Sequence, residues 1–493
     1  MLSSIVEVPS VRTATRIIAS VVLAGTIGVL ASSLAASEYT PDDLYRYQYL
    51  RLQNGLDVFL KMRPGAHNVS IRMVVHVGSY DFSCGTKETP HFLEHLLFTG
   101  TSRHSESELD ALIEDNGGSW NASTGGEKTV YEVDIHDRYS GLALDTLYEI
   151  LTDSTITGEN VERTRDIIHR EAGGKPSVFR RWIYGQGIGH SAQSKADELL
   201  WPAVFNCQEL ETADGISREE ILKVREHYYV PNNMALVVVG NFEGKDMLAR
   251  IRKSFGQLKS GPVPGEVSGL RPKVSRQRVT GTFSPILGTE GQVALNYQSG
   301  GYRSDQVYSM ILVNDLLKQE IFRELRVEKG LAYAPSSSMG FDRDVGVIAL
   351  SSDAELGKME LVEETMLSLV ERIRHRKLEK TDLERIRRRV LLTYAQGYED
   401  NSSIASHYAS VWRRFEKNGN IVDLERKLMQ VSHIELSLFL QHLLDPERVV
   451  IAVTRPTLSY HRLYILLSLL ALSCVAAATY YWWKYGKRRQ GLN

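Results

Sequence analysis

The chain has 493 residues, 43% hydrophobic, 24% charged and 9% aromatic, too apolar for a disordered protein and too polar for a many-pass membrane protein. Its 58 Lys and Arg nearly cancel its 60 Asp and Glu, so no whole-molecule field gathers nucleic acid, which is not an expected partner. The 3 cysteines, Cys84, Cys207 and Cys474, contain no CxxC pair and exclude a thiolate zinc finger, so any bound metal must take nitrogen and oxygen ligands.

Residues 1–37 read as an export signal or an N-terminal anchor: Ile17 to Ala36 is apolar and uncharged, follows Arg12 and Arg16, and ends beside the small residues Ser33 and Ala35. A mitochondrial presequence ranks lower, because presequences are amphipathic and Arg-rich whereas this run is apolar all round. Alternation at Asp57–Leu60 and Ser70–Val75 predicts strands, periodicity over 91–115 a helix, and Thr129–Ile135 a strand again. Helical patterns follow over 138–172 and 217–229, then a strand over Ala235–Gly240. This is an α+β pattern. Ser260–Gly269 is the densest Pro/Gly/Ser cluster, which places a linker between domains expected at 42–262 and 272–456.

The second half echoes the first. Ile216-Ser217, a helix, Pro231 and Leu236-Val-Val-Val return as Val431-Ser432, a helix, Pro446 and Ile451-Ala-Val-Thr at a constant offset of 215 residues. Shared spacing of that kind predicts two copies of one domain. Leu463–Trp483 is then 21 residues without a charge, closed by Tyr480-Tyr-Trp-Trp483 and the basic tail Lys484, Lys487, Arg488 and Arg489. Length, aromatic belt and basic flank predict a transmembrane helix with residues 484–493 in the cytoplasm and the domains on the other side, periplasmic or lumenal. A Cys84–Cys207 disulfide is conceivable in such an oxidising compartment, but the sequence does not show their separation.

Pro90-His91-Phe92-Leu93-Glu94-His95 carries the chemistry. Thr89 and Pro90 suit the start of a helix, so His91 and His95, at i and i+4, share a face and can share a metal. Glu94 lies one residue off that stripe, close enough to reach a water on the same ion. Paired histidines on a helix are also consistent with buried hydrogen bonding or a solvated face. A catalytic zinc needs a third ligand, and Glu171 on a second helix is the candidate, whereas His169 is expected to point elsewhere as a surface residue.

HxxEH followed 76 residues later by a Glu closely resembles the inverted-motif zinc peptidases, the M16 family of pitrilysin, insulin-degrading enzyme and mitochondrial processing peptidase. The resemblance runs from about Tyr45 to Arg455 and includes Asn54-Gly-Leu-Asp-Val58, Val77-Gly-Ser79, Asn121 to Tyr131 and Arg326 to Tyr333. It implies a zinc endopeptidase built from two homologous α+β domains of the processing-peptidase type around a substrate chamber. His91, His95 and Glu171 would ligate one zinc per chain, and Glu94 would be the general base. Gly117 to Tyr131 would be an edge strand receiving peptide substrate, with Asn121 and Ala122 beside the scissile bond; the alternative is a hairpin needed only for the fold. Arg326 and Tyr333 match residues that in single-chain relatives stabilise the substrate carbonyl and oxyanion, or are a surface Arg and a core Tyr.

The chain departs from the family in three places. Thr393 stands where a second Glu171 would, so one active site per chain is expected; Thr164 replaces a supporting Glu; and Ala172-Gly-Gly-Lys-Pro176 breaks the helix after the ligand. A homodimer, or a heterodimer with an M16 paralogue, is the expected assembly. The second reading is a catalytically weak or silent partner in such a heterodimer, and the second location a mitochondrial inner membrane.

Overall fold

The computed structural model describes residues 44–175, 177–185, 191–202, 213–265, 271–412 and 421–489. The expected signal or anchor and Cys207 lie outside them. The chain up to Arg46 is one unit, of which residues 44–46 are described, and everything below concerns the unit from Tyr47 onward.

The first half runs β1 (Gln48–Arg51), β2 (Asp57–Met62), β3 (Asn68–Val75), α1 (Thr89–Leu97), α2 (Glu106–Glu114), β4 (Ser119–Thr124), β5 (Thr129–His136), α3 (Ser140–Asp153), α4 (Gly158–Glu171), α5 (Val178–Gly185), α6 (Ala192–Leu200), α7 (Arg218–Tyr228), β6 (Met234–Gly240) and α8 (Gly244–Lys253). Its six strands form one sheet in the order β1-β2-β6-β3-β5-β4. The strands alternate sides with period two; Val69, Ile71, Met73 and Val75 of β3 join one apolar core with Phe92, Leu93 and Leu96 of α1.

The second half runs β7 (Gln277–Gly288), β8 (Glu290–Gly300), α9 (Gln306–Phe322), a π-helical turn (Arg323–Glu328), β9 (Ser336–Phe341), β10 (Val345–Glu355), α10 (Met359–Arg374), α11 (Lys380–Gln396), α12 (Asn401–Val411), α13 (Leu424–Gln430), α14 (His433–Leu443), β11 (Val449–Ser459) and α15 (Tyr460–Arg489). Its sheet, β7-β11-β8-β10-β9, repeats the order β2-β6-β3-β5-β4 of the first. The duplication is visible in detail. Ser217 and Ser432 each close a capping box at the start of α7 and α14, and a short 3₁₀ turn beginning at Pro231 or Pro446 leads into β6 or β11.

Each sheet is also covered by a helix from the other half. α12 packs on β3 and β6, and α6 packs on β11, β7 and β8. The first contact is polar: the Arg72 guanidinium, almost fully buried, donates to Asp134 on the neighbouring strand and to Ser402 and Ser406 on α12. In the second, Gln298 donates to the Leu200 carbonyl and Ala192 N–H donates to Thr454.

Two expected long helices are split. The 91–115 pattern breaks at Gly100, whose φ of 116° only glycine adopts easily, and the 138–172 pattern breaks after Asp153, where Ser154 turns out of helical geometry. The expected Gly117–Tyr131 strand is a hairpin: residues 119–124 form the edge strand, and Thr129 to Tyr131 already belong to β5. Cys84 is disulfide-bonded, and Cys474 is free and exposed. Tyr460–Lys484, within α15, is the one described helix long and apolar enough to cross a membrane, and none of it is buried.

Candidate metal centre and peptide-binding edge

The site forms where α1 and α4 pack together. α1 buries Pro90, Phe92, Leu93, Leu96 and Leu97, each large side chain contributing about 1.5–3 kcal/mol. The opposite side of the helix therefore presents His91 and His95. α4 packs through Val161, Thr164 and Ile168, a stripe that Glu171 continues by helical spacing. Arg165 fixes the register: its guanidinium lies 5.2 Å over the Phe92 ring and donates to the carbonyls of Ala213 and Ile216.

Three ligand-bearing side chains then converge. His91 Nε2 and His95 Nε2 are 3.2 Å apart, and they stand 3.4 and 3.5 Å from the Glu171 carboxylate oxygens. Two atoms on a tetrahedral zinc ion at about 2.05 Å would be about 3.3 Å apart, so this donor set fits zinc in type and spacing. α4 ends at Glu171, with Gly173 and Gly174 both at positive φ. The helix break expected there is present and sets Glu171 on the last helical residue.

Two further contacts hold the group. Glu88 Oε2 is 3.1 Å from His91 Nδ1. Thr124, at the end of β4, donates to Glu94 Oε2 at 2.6 Å, and Glu94 itself is buried. Burial works against the protonated form of His91. The Glu88 hydrogen bond and the charges of Glu94, Glu88 and Glu171 outweigh it, and the imidazole pKa lies above its ordinary value. Behind Glu94, the Tyr131 and Tyr229 hydroxyls are 2.7 Å apart; burial pushes both phenols up, so they stay neutral.

β4 is an edge strand, with one side bonded to β5 and no strand on the other among the described residues. Asn121 is exposed, while Ala122 packs towards the core. Phe98 meets Trp120 edge-on at 4.6 Å, which keeps the strand beside the end of α1. Arg326 and Tyr333 come together elsewhere: the guanidinium lies 4.3 Å over the Tyr333 ring and donates to the Tyr333 carbonyl, and Tyr333 is exposed. Among the described contacts neither touches the His/His/Glu group. His169 is not the surface residue expected: it is buried and bonded to Asp214 at 2.8 Å, because the last turn of α4 packs against that loop.

The sequence reading missed Glu88 and Thr124. Both had a signal, since Glu88 precedes His91 by three residues at a helix start and Thr124 shares a strand face with Ala122. In the second half, α9, α11 and β9 take the places of α1, α4 and β4 around a cavity of about 730 Å³. Asn314, Asp315, Thr393 and Tyr394 line it, and no metal-ligand cluster occurs there among the described residues.

Residues 57–174 match the profile of insulinase, peptidase family M16, and residues 215–390 that of the peptidase M16 inactive domain. An uncharacterized zinc protease of Rickettsia felis is 26% identical over 63% of this chain and 74% of its own length. A protease from Helicobacter pylori shares the fold at TM-score 0.70 and 19% identity, over 83% of this chain and 99% of that one. The first half of the periplasmic protease PqqL from Escherichia coli does so at TM-score 0.67 and 17% identity, over 83% and 92%.

Proposed function

The chain belongs to the M16 family of peptidases, and from that premise we propose that it is a membrane-anchored zinc metalloendopeptidase cutting short or unfolded peptides. The observation that carries the proposal is the convergence of His91, His95 and Glu171 within 4.8 Å, with the Glu94 carboxylate on the same helix. His91, His95 and Glu171 would hold a zinc ion, which when bound would supply a Lewis acid for the peptide carbonyl and a water made nucleophilic near neutral pH.

The chain's own residues do the rest. Glu94 keeps one carboxylate oxygen on Thr124, and with the other takes a proton from the attacking water and returns it to the departing amine. The open side of β4 takes the substrate backbone as an added strand at Asn121 and Ala122, so main-chain hydrogen bonds fix the scissile bond without demanding a side-chain sequence. Arg326 and Tyr333 are the donors we assign to the substrate carbonyl.

Exposure of an apolar 25-residue helix, Tyr460–Lys484, supports the anchor. We place the peptidase domains in a periplasm or lumen and the basic tail in the cytoplasm. Protease accessibility in intact membranes tests this, since digestion of the domains from the cytoplasmic side contradicts it.

The activity is tested on the full chain in detergent by measuring zinc per chain and cleavage of an unstructured peptide. One zinc and measurable cleavage are expected, with Glu94→Gln slower by roughly 10²–10⁴-fold. An equally fast Glu94→Gln sinks the proposal. A second reading, a weak or silent subunit paired with an active homologue, has its own support: Thr164 is buried beside α1 with no hydrogen-bond partner for Oγ1 among the described residues, in the helix that supplies Glu171. Robust cleavage by the isolated chain excludes it.

A further inference from the structure

His91 is gripped from both edges of its ring. Nε2 faces His95 and Glu171, while Nδ1 meets Glu88 Oε2 at 3.1 Å. When Nδ1–H donates to a carboxylate, Nε2 must carry the lone pair, and the ring becomes a better electron donor. Glu88 is placed for this by the first turn of α1. It is the residue preceding the helix, Pro90 sits within the first two helical positions, and the buried Thr89 donates to the Thr86 carbonyl at 2.6 Å. The Glu88 and His91 side chains are 25% and 27% exposed, so their contact is shielded from full solvent screening. His95 has no such support: among the described residues the one carboxylate it meets is Glu171.

We propose that Glu88 is a positioning residue for the metal ligand His91, fixing the tautomer and ring orientation that leave Nε2 free for the ion. The proposal rests on the zinc-site reading above. It makes His91 the pre-set ligand, with His95 and Glu171 completing the site around it. Glu88 does not join the ligand cluster itself, since it lies on the ring edge facing away from Glu171.

The test is the zinc dissociation constant of the full chain, measured in detergent against a chromophoric chelator for the parent, Glu88→Gln and Glu88→Ala. Visible absorption of each protein loaded with cobalt(II) and melting of each metal-free protein accompany it. Loss of the carboxylate in Glu88→Ala is expected to weaken zinc roughly 10- to 100-fold and to shift the cobalt spectrum. Glu88→Gln, which keeps a neutral acceptor for Nδ1–H, falls between Glu88→Ala and the parent. Metal-free melting should be alike in all three. Unchanged zinc affinity in Glu88→Ala overturns the proposal. If its metal-free melting also falls, Glu88 serves only the helix start. A parent chain that binds no zinc fails earlier and takes the metal-site reading with it, so the two failures are distinguishable.

Discussion

Thr124 donates a hydrogen bond to Glu94 across 2.6 Å, tying the edge strand β4 to the carboxylate we propose as the base. A hydrogen bond to a charged group contributes about 1.5–3 kcal/mol. Thr124→Val keeps the shape and the strand backbone but loses that bond. It should lower kcat roughly 10- to 100-fold, with KM and zinc content near the parent's. A KM rise without a kcat fall would show that the bond serves the strand and not the base.

Metal binding should stabilise the fold, because three ligands from two helices meet only when α1 and α4 are packed. Zinc at a hundred times its dissociation constant adds about 2.7 kcal/mol. Thermal scans with and without a chelator should therefore differ by several degrees in the parent, and Glu171→Gln should abolish most of the difference. An equal zinc-dependent shift in that variant would remove Glu171 from the ligand set.

His407 makes stability pH-dependent. Burial, aided by the Lys128 charge, lowers its pKa from 6.5 to about 4, and its Nε2 meets the Tyr394 hydroxyl at 2.7 Å. Between those values the unfolded chain binds the proton and the folded chain does not, so stability falls as pH drops from 6.5 towards 4, by up to about 3 kcal/mol. His407→Gln should flatten the melting temperature between pH 7 and pH 5. A slope equal to the parent's would assign the acid sensitivity elsewhere.

Arg72 joins the first sheet to α12. Removing one member of a buried pair costs about 3–5 kcal/mol, less here because the Asp134 side chain is 30% exposed. Arg72→Met should lower the melting temperature by roughly 2–4 °C while leaving zinc content unchanged. Melting indistinguishable from the parent's would mean that the apolar contacts of α12 suffice.

Much of this was legible from local pattern. His91, His95 and Glu94 sit within five residues, and the 215-residue offset survives as matching caps, 3₁₀ turns and strands because each depends on only a few adjacent residues. The helix breaks at Gly100 and Ser154 were harder to read, since amphipathic periodicity runs on across both turns. The burial of His169 depends on the loop at Asp214, 45 positions away. The partnership of Arg326 with Tyr333, rather than with the metal group, arises in the π turn and the loop after it, which periodicity does not encode.

The exchange of α6 and α12 between the two halves also orders events on the ribosome. Asn401 bonds Asn68 but lies 161 positions beyond Gly240, the end of the sheet's last-made strand, so at about 5–20 residues per second the completed first sheet waits roughly 8–32 s for its cover. Through that interval the face bearing Arg72 and Asp134 is bare, a natural target for a holding chaperone. A chain truncated ahead of Asn401 would be left permanently in that state, a half-clad sheet and not a smaller working enzyme.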